Sequence, residues 1–115
     1  MNEIDALTAE IRAFRDARDW LQFHAPKDLA IAISVEAGEL LEQFVWQTAE
    51  QSEQRARERR EEIASEIADV AILLFELADN LGINLAEAMR AKLARNELRY
   101  PVGKARGSNQ KYDEL

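Results

Sequence analysis

Cysteine is absent from this chain of 115 residues, and histidine occurs once, at position 24. The first absence excludes a disulfide framework and any thiolate metal site, and the second excludes a site built from several imidazoles. Any metal bound here therefore takes oxygen ligands. Glycine (4) and proline (2) are scarce, and the β-branched alternation of half-buried strands is missing. Ala, Leu, Glu and Arg are plentiful instead, so the expected fold class is all-α. No apolar run approaches a membrane span, and the amino terminus lacks a charged segment followed by an apolar one, so the expectation is a cytoplasmic protein with no membrane partner. Positive charge is in deficit, with 15 Lys and Arg against 22 Asp and Glu and a net charge of −7. That balance argues against a nucleic-acid partner held by phosphate neutralisation. An anionic ligand would have to be met through metal ions.

Periodicity predicts four main helices. Ile4, Leu7, Ile11 and Phe14 recur at three- and four-residue spacing and predict a first helix from Asp5 to Arg18. After a connector through Trp20 and His24, Pro26 suits the first turn of a second helix reaching Trp46 or Gln47, because its missing N–H would have no partner there. The segment from Thr48 to Arg60 is polar without an apolar stripe and predicts a mobile connection with some solvated helix. A third helix from Glu61 to Leu81 carries Ile63, Ile67, Val70, Leu73, Leu74, Leu77 and Leu81 on an arc about 120° wide. Gly82 supplies its stop. Asn84 and Glu87 form a capping-box pattern that opens a fourth helix reaching Leu98, with Lys92, Asn96 and Arg99 on one face. By length these helices make one domain over residues 1–100, followed by a polar, basic tail over 101–115 too poor in apolar residues to fold alone.

Two acidic pairs, Glu36 with Glu39 and Glu66 with Asp69, each lie one helical turn apart on or beside an apolar face. A carboxylate in such a place must be protonated, hydrogen-bonded or bound to a cation. Four of them on two neighbouring helices offer a set of hard oxygen donors suited to Mg²⁺ or Mn²⁺, ions that retain waters and recruit substrate phosphates. Glu62 is placed as an outer acid. Glu42 points elsewhere and is a surface charge. Taken singly, such motifs are ordinary solvated faces, Trp20 and Trp46 are packing aromatics, His24 caps the second helix, and Lys92 and Lys111 are solvated. A rival reading is a non-catalytic helical oligomerisation module whose inward acids pair with Arg55, Arg57 or Arg59 of another subunit. A di-iron bundle needs Glu-x-x-His pairs that are not present.

The order of these motifs resembles the all-α MazG-type nucleoside triphosphate pyrophosphohydrolases. Within them it is most similar to the dCTP pyrophosphatase branch, through Arg18-Asp19-Trp20, Phe23-His24, Glu36-Ala37-Gly38-Glu39-Leu40, Phe44 to Trp46, Asn96, Arg99-Tyr100-Pro101 and Lys111-Tyr112. The resemblance implies a four-helix-bundle-type fold assembled as a homo-oligomer, in this branch a tetramer. It also implies hydrolysis of a nucleoside triphosphate to monophosphate and pyrophosphate, as in clearance of nucleotide pools. On that resemblance Glu36, Glu39, Glu66 and Asp69 hold Mg²⁺, with Glu36 or Glu39 as general base. Trp20, His24 and Trp46 lie at the nucleotide, and Lys92, Asn96, Tyr100 and Lys111 contact phosphate and sugar. Leu73 and Ile11 stand where the animal enzymes carry tyrosine and histidine, which leaves the preferred base and sugar open.

Overall fold

The computed structural model describes residues 2–115, all helix, turn and coil with no strand among them. Six α-helices follow in order: α1 (Glu3–Asp16), α2 (Pro26–Glu42), α3 (Ala49–Glu58), α4 (Arg60–Asn80), α5 (Leu85–Arg99) and the short α6 (Val102–Ala105). Two compact units result, one running to Gly82 and the other from Ile83 to Leu115. In the first, α4 is the central rod against which α1, α2 and α3 pack. No helix of the described residues is long and apolar enough to cross a membrane.

The helix ends follow local chemistry. Asn2 caps α1 by accepting from the Asp5 N–H at 2.8 Å, so the helix starts and ends two residues earlier than its apolar stripe suggested. Pro26 occupies the first turn of α2, as its fixed φ allows. That helix closes at Glu42, short of the expected Trp46, because the chain tightens into three-residue turn bonds such as Phe44 N–H to the Leu41 carbonyl at 2.9 Å. α4 ends where Gly82 takes φ of 69°, a left-handed conformation that glycine adopts without steric cost. At α5 the Asn84 side chain accepts from the Glu87 N–H at 3.0 Å, half of the expected reciprocal pair. The tail carries α6 and a 3₁₀ turn at Tyr112–Glu114, and Tyr100 packs edge-on against Tyr112 with ring centroids 6.1 Å apart.

The largest departure is the polar segment after α2. Instead of a mobile connection it is a regular helix, α3, secured by a complete capping box: the Gln51 N–H donates to the Thr48 hydroxyl at 3.1 Å, and the Thr48 N–H donates to the Gln51 side chain at 3.0 Å. The cap supplies what the missing apolar stripe does not. Thr48→Ala is therefore expected to cost about 1 kcal/mol, measurable by denaturant unfolding as a lower midpoint at unchanged slope.

Burial within the chain is thin. Leu29, Ile63 and Ala78 are the buried apolar residues, while Phe14, Ile67, Ile72, Leu74 and Leu81, expected or available to face inward, are about half exposed. Between α1 and α4 runs an open apolar groove of about 550 Å³ lined by residues including Ile11, Phe14, Ile72 and Phe75. The apolar arc of α4 is thus wider than its own chain covers.

Candidate metal centre

α2 and α4 run antiparallel. His24, just before α2, meets Glu76 near the end of α4, whereas Glu36 and Glu39, toward the end of α2, meet Glu66 in the first half of α4. The E-x-x-E spacing puts Glu36 and Glu39 on successive turns of one helix. Packing then brings Glu66 across, so that one carboxylate oxygen from each of the three lies within 4.8 Å of the others. Asp69 stands outside that limit, one turn along α4, yet its charge still acts on Glu36 and Glu66.

The electrostatics of this cluster are unfavourable without a cation. The carboxyl of Glu36 is pushed above the ordinary glutamate range, first by Glu39, close enough to share a proton with it, then by burial and by the charges of Glu39, Asp69 and Glu66. Glu66 is pushed up first by burial and then by the charges of Glu39 and Asp69. One oxygen of Glu36 and one of Glu66 are buried with no hydrogen-bond partner. Each ion pair among the described residues lies elsewhere; Arg59, for example, pairs with Glu62 at 3.6 Å. Among the described residues no arginine pairs with the four acids, and Glu62 pairs with Arg59, the residue that joins α3 to α4. Orphaned, buried, anionic oxygens from two helices fit a hard divalent cation by donor type and by charge.

The other expected site residues divide into three groups. Trp20 and His24 come together, with ring centroids 6.5 Å apart, and Phe14 joins edge-on to Trp20 at 5.8 Å under the Arg18 guanidinium. His24 does not cap α2, whose N-cap is Ala25 with no side-chain bond; its ring turns to Glu76. Trp46 stands 92% exposed in the turns beyond α2. Lys92, Asn96, Tyr100 and Lys111 belong to the second unit, where Lys92 is exposed, Asn96 half-buried, and the Lys111 ammonium lies 5.8 Å from the Tyr112 ring.

Periodicity does not single out the two buried charges among the described residues, Arg15 and Glu76, at 5% and 4% exposure. A signal existed: Glu62, Asp69 and Glu76 recur every seven residues and so share one stripe of α4.

Comparison with known proteins adds three findings. The model of the MazG-like family matches residues 31–115. The chain is 39% identical over 117 residues to dCTP pyrophosphatase 1 of Bos taurus, covering 100% of this chain and 68% of the relative, and equally 39% identical to the Homo sapiens protein of that name, covering 67% of it. Its structure is similar to a pyrophosphatase from Archaeoglobus fulgidus, with TM-score 0.84 and 41% identity over 88% of this chain and 94% of that one.

Proposed function

Since this chain belongs to the MazG-like family and is a nucleotide pyrophosphohydrolase, we propose that it hydrolyses a deoxynucleoside triphosphate, dCTP-like or base-modified, between the α and β phosphates. The products are the monophosphate and pyrophosphate, and the role is clearance of such triphosphates from the nucleotide pool. Glu36, Glu39, Glu66 and Asp69 would hold Mg²⁺, with Mn²⁺ as a substitute. The observation that carries this reading is the pair of buried, partnerless carboxylate oxygens on Glu36 and Glu66, two residues of different helices whose carboxylates come within 4.8 Å of each other. When bound, the cation neutralises phosphate charge and eases proton loss from an attacking water.

The chain's own part is placement. Carboxylates fixed on two packed helices would hold the cation without rearrangement where negative charge develops during reaction. Glu36 or Glu39 takes the proton of the water. Trp20, His24 and Trp46 meet the nucleoside, the two tryptophans offering faces on which a base stacks. Phosphate and sugar contacts are proposed for Lys92, Asn96, Tyr100 and Lys111 on the strength of the family resemblance. With Ile11 and Leu73 where the animal enzymes carry histidine and tyrosine, base preference is set by apolar contact more than by ring hydrogen bonds. The exposed apolar surface of α1 and α4 supports a homo-oligomer, proposed as a tetramer, because a lone chain leaves that area in water.

Phosphorus NMR of the products tests the reaction. Monophosphate and pyrophosphate are expected with Mg²⁺ and nothing in excess chelator; diphosphate with orthophosphate would refute the assigned bond. Calorimetry with Mg²⁺ and a non-hydrolysable triphosphate separates the enzyme from the interaction module, which shows no metal-dependent binding.

A further inference from the structure

The most deeply buried charges of the chain form a network about 15 Å from the acidic cluster, taking ten residues along α4 from Glu66 to Glu76. Burying a carboxylate and a guanidinium is costly, and such groups persist when held by several partners. Here they are. Glu76 Oε2 lies 2.5 Å from His24 Nδ1, 3.7 Å from Arg15, and accepts from the Asn80 amide at 3.3 Å. Arg15 in turn donates to Asn80 Oδ1 at 2.8 Å and to Asp16 at 2.9 Å.

This pattern fixes a proton. Oε2 accepts from Asn80 and faces a guanidinium, so it is the acceptor toward the ring as well, and the proton between Glu76 and His24 sits on Nδ1. Nδ1 is taken up by Glu76, whose side chain is 5% exposed, and the His24 side chain is 22% exposed, so Nε2 is the ring nitrogen left for a ligand. We propose that Glu76, clamped by Arg15 and Asn80, is a positioning residue for the reaction: it holds the proton on Nδ1 of His24 and so presents Nε2, beside Trp20, to the nucleoside end of the substrate. The inference rests on the reading that His24 touches the nucleotide. In the neutral ring Nε2 is then a hydrogen-bond acceptor, matched to a sugar hydroxyl or base N–H and mismatched to phosphate oxygens. That suits its distance from the acidic end.

The single histidine makes the test direct. In this chain labelled with ¹⁵N at histidine, one pair of ring resonances belongs to His24. Near pH 8 the bonded proton is expected on Nδ1, and a non-hydrolysable nucleoside triphosphate should move the Nε2 resonance while leaving Nδ1 in place. A neutral ring protonated on Nε2 would overturn the proposal in the unmodified protein. Glu76→Gln keeps size and loses charge; it should mix the two ring tautomers and raise KM about tenfold, the loss of one charge-assisted hydrogen bond, with kcat within about twofold. In a His24→Ala background the same change should add nothing to KM. An equal penalty with and without the ring would mean that Glu76 acts otherwise, and the proposal falls. If His24→Ala alone leaves KM unchanged, it is the premise that His24 meets the nucleotide that fails. Should Glu76→Gln not fold, because the buried Arg15 keeps only Asp16 as an anionic partner, the ring resonances of the unmodified protein decide alone.

Discussion

Glu66→Gln is expected to lower kcat for pyrophosphate release by about three orders of magnitude, the scale set by removing one preorganised electrostatic contact from a reaction centre. The replacement keeps shape and loses the anion, so the defect is in charge and not in packing. Glu66 is the α4 carboxylate within 4.8 Å of both α2 acids, and one of its oxygens has no partner among the described residues. Metal affinity should fall together with turnover in calorimetry. The same substitution removes a charge that Glu36 and Glu39 repel, so the metal-free variant should be at least as stable as the parent. That contrast, activity lost and stability kept, separates a ligand role from a structural one. Turnover within tenfold of the parent would remove Glu66 from the centre.

The second large effect is on stability, and its sign follows from the carboxyls of Glu36 and Glu66. Both are raised above the ordinary glutamate value of 4.5 in the folded protein. A group that binds its proton more tightly when folded contributes stability that is fully present below the unfolded value and is lost as pH rises through the folded one. Metal-free protein should therefore lose stability from about pH 4.5 upward. Asp79 runs the other way: its hydrogen bond from Arg12 holds it below the ordinary aspartate value, giving stability that is lost as pH falls. Mg²⁺ should restore what the acidic cluster forfeits. At 100 times its dissociation constant a ligand adds about 2.7 kcal/mol, and for a domain near this size that is a rise in Tm of about 10 °C or more. Because protons compete for the same oxygens, the rise should be larger at pH 8 than at pH 5. Differential scanning calorimetry with and without Mg²⁺ at the two pH values reads it out, and a metal effect independent of pH would count against shared oxygens.

Much of this was legible in the order of residues. The 3.6-residue period of Ile63 through Leu81 marked α4, Pro26 and Gly82 marked ends, and the two acidic pairs marked the centre, because helical spacing converts directly into shared faces. What escaped has physical causes. The solvated helix expected in part after Thr48 is regular over Ala49–Glu58 because its cap stabilises it where an apolar stripe is lacking, although Thr48 and Gln51 have the required spacing. The early end of α2 depends on turn bonds after Leu40 that no local propensity announces. Arg15 and His24 lie far in sequence from Glu76, and their meeting is a product of packing between α1, the connector and α4. Even so, the seven-residue recurrence of Glu62, Asp69 and Glu76 carried half of that information.

The antiparallel register of α2 and α4 ties two polar junctions to one pair of rods. Deleting a single residue between Ile67 and Phe75 would turn one junction about 100° and shift it about 1.5 Å relative to the other, so either the acids would lose their common focus or the imidazole would swing off its carboxylate. Length is therefore fixed in that stretch of α4, and variation in chain length among related proteins belongs in the segments that join the rods.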